Sequence, residues 1–261
     1  MEKKTILIKY HQLELKISAN IIKRGNKWIL CLHGLQTNKE LFTELISQPY
    51  LKDYSVLAVN FIGFGESSKP ISFSYDLLEQ AKICKEIINQ LGLKEIVIIG
   101  HSMGGMVGTL LLDLIPRKIT ALINMEGNLV LGDCGASKEV AELSFLKFQQ
   151  TEYQRMKQKI KNSREISSKF RLTAIEKIPD FVFYKTSKSI VEWSESQKLL
   201  EIFLTVKQKK LFVYGDQNQF KINSLQGKIA SASIKNAGHF MLLDNFEDCS
   251  REIQKILDGL D

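Results

Sequence analysis

The 261-residue sequence predicts an α/β fold: a mainly parallel sheet flanked by helices, with a helical insertion. Three observations carry this expectation. Short apolar runs alternate with helical patterns through the first 125 residues, a polar helix-rich stretch extends from about Asn128 to Lys209, and strand-like runs then return. With 44% hydrophobic and 25% charged residues, a chain of this length buries one core without needing staples.

In chain order, Thr5–Lys9 and Leu13–Ala19 alternate apolar and polar residues and read as an opening hairpin. Trp28–Leu32 and Ser55–Asn60 are expected inner strands. Leu77, Leu78, Ala81, Cys84, Ile88 and Leu91 recur with helical period, so Asp76–Leu91 reads as a helix, with Ser74 as its N-cap and Gly92 as its stop. Glu95–Ile99 is a dense apolar run suited to a strand buried on both faces. Met103–Ile115 reads as a helix ended by Pro116, and Ile119–Met125 as the next strand. Polar helical stretches such as Glu139–Ile160 then dominate, with aromatics supplied by Phe181–Tyr184 and Ile190–Phe203. Lys210–Tyr214 and Ile229–Ile234 restore strand character before a final helix over Asn245–Leu257, where Asp244 and Asp248 suit the positive end of the helix.

The formal charge is +7, and residues 128–209 hold fifteen Lys and Arg against ten Asp and Glu. Such a patch attracts anionic substrates or surfaces, but lysine-rich helix faces are more often simply solvated, and no nucleic-acid module is visible. Cys31, Cys84, Cys134 and Cys249 are widely separated and form no C-x-x-C pair; Cys31 and Cys84 read as buried residues of a reduced compartment. No signal-peptide-like run and no apolar run of membrane-spanning length occurs, so the expectation is a cytoplasmic protein without stable membrane insertion. Oligomeric state is left open.

The strongest chemical signal is Gly100-His101-Ser102-Met103-Gly104, fed by an apolar strand and followed at once by a helix. A serine on so tight a turn is strained and forced outward, and small flanking residues let the backbone make it. Gly105 and Gly108 continue a small face on which the helix packs closely. A serine hydroxyl needs a base. Of the four histidines, His239 in Ala237-Gly238-His239-Phe240 lies where one is expected, between the last strand and the last helix. His101 is badly placed beside Ser102, His11 lies in the hairpin, and His33 belongs to His33-Gly34-Leu35. The Leu35 amide, just past an inner strand, and the Met103 amide, at the start of a helix, are the expected oxyanion donors.

Together His33-Gly34, the segment from Asn60 through Gly63-Phe64-Gly65-Glu66-Ser67, the Ser102 pentapeptide and Gly238-His239-Phe240 resemble the lid-bearing branch of the α/β-hydrolase superfamily over nearly the whole chain. The resemblance implies an eight-stranded sheet, a core from residues 1–127 and 210–261, and a helical lid over 128–209. It also implies a triad acid, commonly in Gly-x-x-Asp after the strand Leu211–Tyr214. Here that tetrapeptide is Gly215-Asp216-Gln217-Asn218, with an amide where the acid should be. Glu126, after the preceding strand, matches the acid location of other members, so the favoured triad is Ser102–Glu126–His239. Asp216 is the alternative acid, and the absence of a working acid is the third reading. Gly63–Ser68 reads as a structural turn beneath the site, since no helix follows it. The expected activity is two-step hydrolysis of a small-molecule carboxylic ester, with no metal or organic cofactor. Thioesters, C–C bonds and non-catalytic ligand binding are the rivals. Phe181, Tyr184 and Trp193 are candidate acyl contacts within the lid.

Overall fold

The protein is described by a computed structural model covering residues 1–223 and 225–260. Its strands form where β-branched and apolar residues crowd into short runs: β1 (Glu2–Tyr10), β2 (Leu13–Ile22), β3 (Lys27–Leu32), β4 (Tyr54–Val59), β5 (Ile96–His101), β6 (Ile119–Met125), β7 (Lys209–Gly215) and β8 (Ser231–Ile234). They make one eight-stranded sheet in the order β1-β2-β4-β3-β5-β6-β7-β8. The β1–β2 and β2–β4 pairings are antiparallel, and every later pairing is parallel.

Burial explains why the runs differ. Strands β4 and β5 are buried at every residue because helices cover both faces, whereas outer strand β1 alternates buried with exposed positions. Alternate residues along each inner strand feed two apolar clusters. Leu30, Leu32, Ile96 and Ile98 pack toward the helices Leu77–Gln90 and Met103–Leu114. Ile29, Cys31, Val97 and Ile99 pack toward Cys249, Ile253 and Leu257 of the last helix, Phe246–Asp258. Each such fully buried aliphatic side chain contributes roughly 1.5–3 kcal/mol. All four cysteines are free and buried.

Several boundaries differ from those expected. The helix expected over Asp76–Leu91 spans Leu77–Gln90 and is capped by Asp76, whose carboxylate accepts from the Leu78 amide at 2.8 Å. Ser74 instead accepts from the Asp76 amide. Asp76 lies immediately before the first helical residue, in extended backbone, within reach of the second helical N–H. The last helix is likewise capped by Asn245, with Asp248 in its first turn, while Asp244 ends a separate short helix, Met241–Asp244.

Residues 126–208, between β6 and β7, contain no strand and include the helices Ala136–Ala141, Tyr153–Lys161, Ser168–Ile175, Asp180–Glu195 and Lys198–Thr205. The continuous helix expected over Glu139–Ile160 is broken near Leu143, where Ser144 caps a new turn. The Ile190–Phe203 pattern is broken at Gln197, whose φ of 56° is left-handed. Polar contacts fasten this segment to the sheet domain: Ser189 Oγ and Trp193 Nε1 donate to Asp76 at 2.7 and 3.1 Å, and Lys177 pairs with Glu66 at 2.9 Å.

The helix Met103–Leu114 approaches the sheet so closely that a Cβ on Gly104 would stand 2.0 Å from the Leu32 carbonyl oxygen. Backbone supplies that obstacle, and no side chain can swing aside. Gly104→Ala is therefore expected to lower unfolding free energy by about 3 kcal/mol, read from urea denaturation. Gly132→Ala, whose Cβ meets nothing within 4 Å, serves as the control.

Candidate active site

Strand β5 ends at His101 and a helix begins at Met103, so Ser102 alone turns the chain between them. Its backbone sits at φ 54° and ψ −122°, a conformation that costs a residue with a Cβ roughly 1–3 kcal/mol. Neighbouring groups hold it there. The Ser102 amide donates to the Met125 carbonyl on β6 at 2.8 Å, and its carbonyl accepts from the Gly105 amide at 2.8 Å. Ser102 opens onto a cavity of about 280 Å³ that His239 also lines.

His239 lies on the loop after β8, with Nδ1 2.7 Å from Glu126 Oε2. A carboxylate only accepts, so the ring proton sits on Nδ1 and Nε2 is the basic nitrogen of the neutral ring. Glu126 follows β6 at φ 50°, its side chain wholly buried. Its amide continues the ladder to the Val213 carbonyl at 2.9 Å, and its carboxylate accepts from the Gly215 amide at 3.0 Å. Asn218 Nδ2 lies 3.0 Å from each carboxylate oxygen. The amide at position 218 thus donates to the Glu126 carboxylate, just beyond the neighbouring strand.

Asp216, the alternative acid, makes other contacts. It accepts from the Asn236 and Ala237 amides at 2.9 and 3.2 Å, fastening the loop that carries His239. A position two residues before Asn218 turns its carboxylate toward main chain and away from the Glu126 pocket. Asp244 holds the same loop through the Gly238 amide at 3.0 Å, and burial pushes its pKa up. That contact corrects the expectation that Asp244 supports the last helix. His101 donates from Nε2 to the His239 carbonyl at 2.7 Å, and the two rings lie 4.9 Å apart. His101 therefore positions the loop from beneath. None of these roles was read from the sequence: the His101 and Asp216 contacts join residues far apart in the chain, and the Asp244 contact, six positions away, competes with a helix-end role.

The other end of the cavity is built from the loop after β3. Gly34 and Leu35 line it beside Met103. His33 shapes this loop: its Nε2 accepts from the Phe61 amide at 3.1 Å, so Nδ1 donates to the Gly34 carbonyl at 2.8 Å. Burial lowers its pKa to about 4, which keeps the ring neutral. The Met103 amide, first in its helix, has no intrahelical partner by position.

Phe181, Tyr184 and Trp193 do not line this cavity. Phe181 packs edge-on against Tyr75, the Tyr184 hydroxyl donates to the Leu143 carbonyl, and the Trp193 indole donates to Asp76. All three lie on the helix Asp180–Glu195, which meets the cavity through Ile190. The helical segment instead reaches the cavity through Cys134, Ala136, Ile190 and Arg171. Arg171 and its partner Gln36 are the additions that sequence reading missed. Gln36 directly follows Leu35, which was a usable signal. Among the described residues, no group of three or more His, Cys, Asp or Glu side chains is arranged to hold a metal ion, and no helix is long and apolar enough to cross a membrane.

Comparison with known proteins agrees with this architecture. Lipase 1 of Psychrobacter immobilis is 29% identical over 132 residues, covering 46% of this chain and 41% of the lipase. The chain spans less than half the length of the curated relatives it matches. An esterase from Exiguobacterium antarcticum superposes with a TM-score of 0.78 at 18% identity, covering 94% of this chain and 96% of that one. A thermophilic esterase from Thermogutta terrifontis gives 0.78 at 17% identity, covering 100% and 99%. At these identities the structural likeness is one of fold. The family model for the alpha/beta hydrolase fold matches residues 27–246, and the chain belongs to that family.

Proposed function

We propose that this protein hydrolyses small-molecule carboxylic esters by two-step acyl transfer through Ser102, His239 and Glu126. One observation carries the reading: His239 Nδ1 lies 2.7 Å from the buried Glu126 carboxylate, over a cavity that Ser102 shares. With Nδ1 protonated, Nε2 takes the Ser102 proton as Oγ attacks the ester carbonyl. Glu126 stabilises the resulting imidazolium. The Leu35 and Met103 amides receive the developing oxyanion, and the strain at Ser102 keeps Oγ in place for attack. His239 then protonates the departing alcohol, and water releases the acid by the same steps in reverse. Esterases and a lipase among the similar proteins lend weight to an ester substrate. Residues 128–209 act as a lid on a core formed by 1–127 and 210–261, and cover the cavity through Cys134, Ala136, Arg171 and Ile190.

A fluorophosphonate probe is expected to label the folded protein on Ser102, and Ser102→Ala to abolish the label. Folded but unlabelled wild-type protein would defeat the reading. The acid is tested with p-nitrophenyl butanoate. Glu126→Gln is expected to lower kcat by about 10³-fold or more, with little change in KM. Asp216→Asn, which keeps an oxygen for the loop amides, is expected to cost no more than about tenfold. The opposite ranking would transfer the acid role to Asp216.

A further inference from the structure

Arg171 touches more of the site's surroundings than any single catalytic role requires. It projects from the helix Ser168–Ile175 with only 14% of its side chain exposed. Gln36 Oε1 accepts from its Nε at 3.0 Å and from Nη2 at 2.8 Å, while Nη1 pairs with Glu165 at 2.5 Å. Its guanidinium carbon stands 4.4 Å from the centroid of the Phe240 ring. Gln36 follows the proposed oxyanion donor Leu35, and Phe240 follows His239. One cation thus bridges the two catalytic loops.

The same side chain lines three spaces. One is the catalytic cavity of about 280 Å³. The second is a groove of about 810 Å³ between the helices Ala136–Ala141 and Tyr153–Lys161. The third is an outer opening of about 540 Å³ beside His239. Gln36, Ala136 and Arg171 line both the catalytic cavity and the groove, so these three form the wall between them. Beyond the wall, Val140, Leu143, Met156 and Ile160 form an apolar strip along a groove whose other side chains are mostly charged or polar. An aliphatic chain fits that strip. The catalytic cavity by itself is slightly smaller than typical ligand sites, whose volumes run roughly 300–1,000 Å³.

We propose that Arg171 is a specificity-determining gate: it closes the catalytic cavity against the groove and its apolar strip, confines the enzyme to short acyl groups, and makes that strip an acyl-chain subsite only when the guanidinium moves. The proposal rests on the ester-hydrolase reading above. Every anchor of the guanidinium is the end of a side chain. Its ionic partner Glu165 is 61% exposed, so the contact gives way at little cost. The outer opening, which Glu165 and Arg171 also line, offers the displaced cation water.

The test compares p-nitrophenyl butanoate with p-nitrophenyl octanoate on wild type, Arg171→Ala, Arg171→Met and Gln36→Ala. The wild-type enzyme is expected to favour butanoate. In Arg171→Ala the octanoate-to-butanoate ratio of kcat/KM should rise about tenfold or more, chiefly through a lower KM for octanoate. Gln36→Ala, which frees the guanidinium on one side, should move the ratio the same way by less. Arg171→Met fills the wall without the hydrogen bonds and should lie between them. The ratio is read within one preparation, so a merely structural loss lowers both esters alike and leaves it unmoved. An unmoved ratio in both Arg171 variants, with butanoate turned over normally by wild type, overturns the gate alone. A loss confined to esters that carry a carboxylate, with no chain-length shift, also overturns it and makes Arg171 an anion anchor. Wild type inactive on both esters and unlabelled by the fluorophosphonate probe removes the ester-hydrolase reading and the gate with it.

Discussion

The carboxylate of Glu126 is wholly buried, and an ion in that position persists only if polar partners replace the water it has lost. Those partners come from separate parts of the chain: the Gly215 amide at the end of β7, the Asn218 side chain just beyond it, and the His239 ring after β8. Satisfying one buried group therefore fixes where three segments converge. The parallel pairing of β6 with β7 makes this possible, because it brings both strands to their C-terminal ends at the same edge of the sheet.

The same constraint rationalises the amide at position 218. A carboxylate there would face Glu126 across a distance at which Asn218 now makes two 3.0 Å contacts, and two buried carboxylates that close favour a shared proton over two charges. Asn218 supplies donors instead of a competing charge. The departure from the common Gly-x-x-Asp pattern and the presence of Glu126 one strand earlier are two halves of a single arrangement. Asp216, excluded from that arrangement by its position, satisfies the Asn236 and Ala237 amides of the loop on which His239 rides.

This division also marks what the sequence made legible. The strands were readable because burial on one face or two writes itself into consecutive residues, as Ile96–Ile99 and the alternation of β1 both demonstrate. Ser102 was readable because a strand, a turn of small residues and a helix are contiguous. The helical character of residues 128–209 was readable too, but its internal breaks and packing were not. Its breaks at Ser144 and Gln197 interrupt patterns that remain periodic in composition, and its aromatics face helices or loops whose positions no local pattern specifies. The hydrogen bonds from His101 to the His239 carbonyl and from Gly238 to Asp244 are equally invisible. The first spans 138 positions, and the second competes with a helix-end role that Asp244 suits equally well by sequence.

Strain and support meet at the proposed nucleophile, Ser102. Both Ser102 and Glu126 adopt positive φ, and each is held by an amide bonded to the adjacent strand: Ser102 to Met125, Glu126 to Val213. The strained turns are thus tied in series, β5 to β6 and β6 to β7, so neither relaxes without breaking a ladder contact beside the other. A helix held to the loop after β3 by Gln36 and to the His239 loop by Phe240 can shift its own side chains without disturbing that series, since its contacts to those loops are made to side chains. Rigidity is therefore concentrated where the proton transfers are proposed to occur, and the freedom to accommodate different acyl groups lies in the helical segment around Arg171.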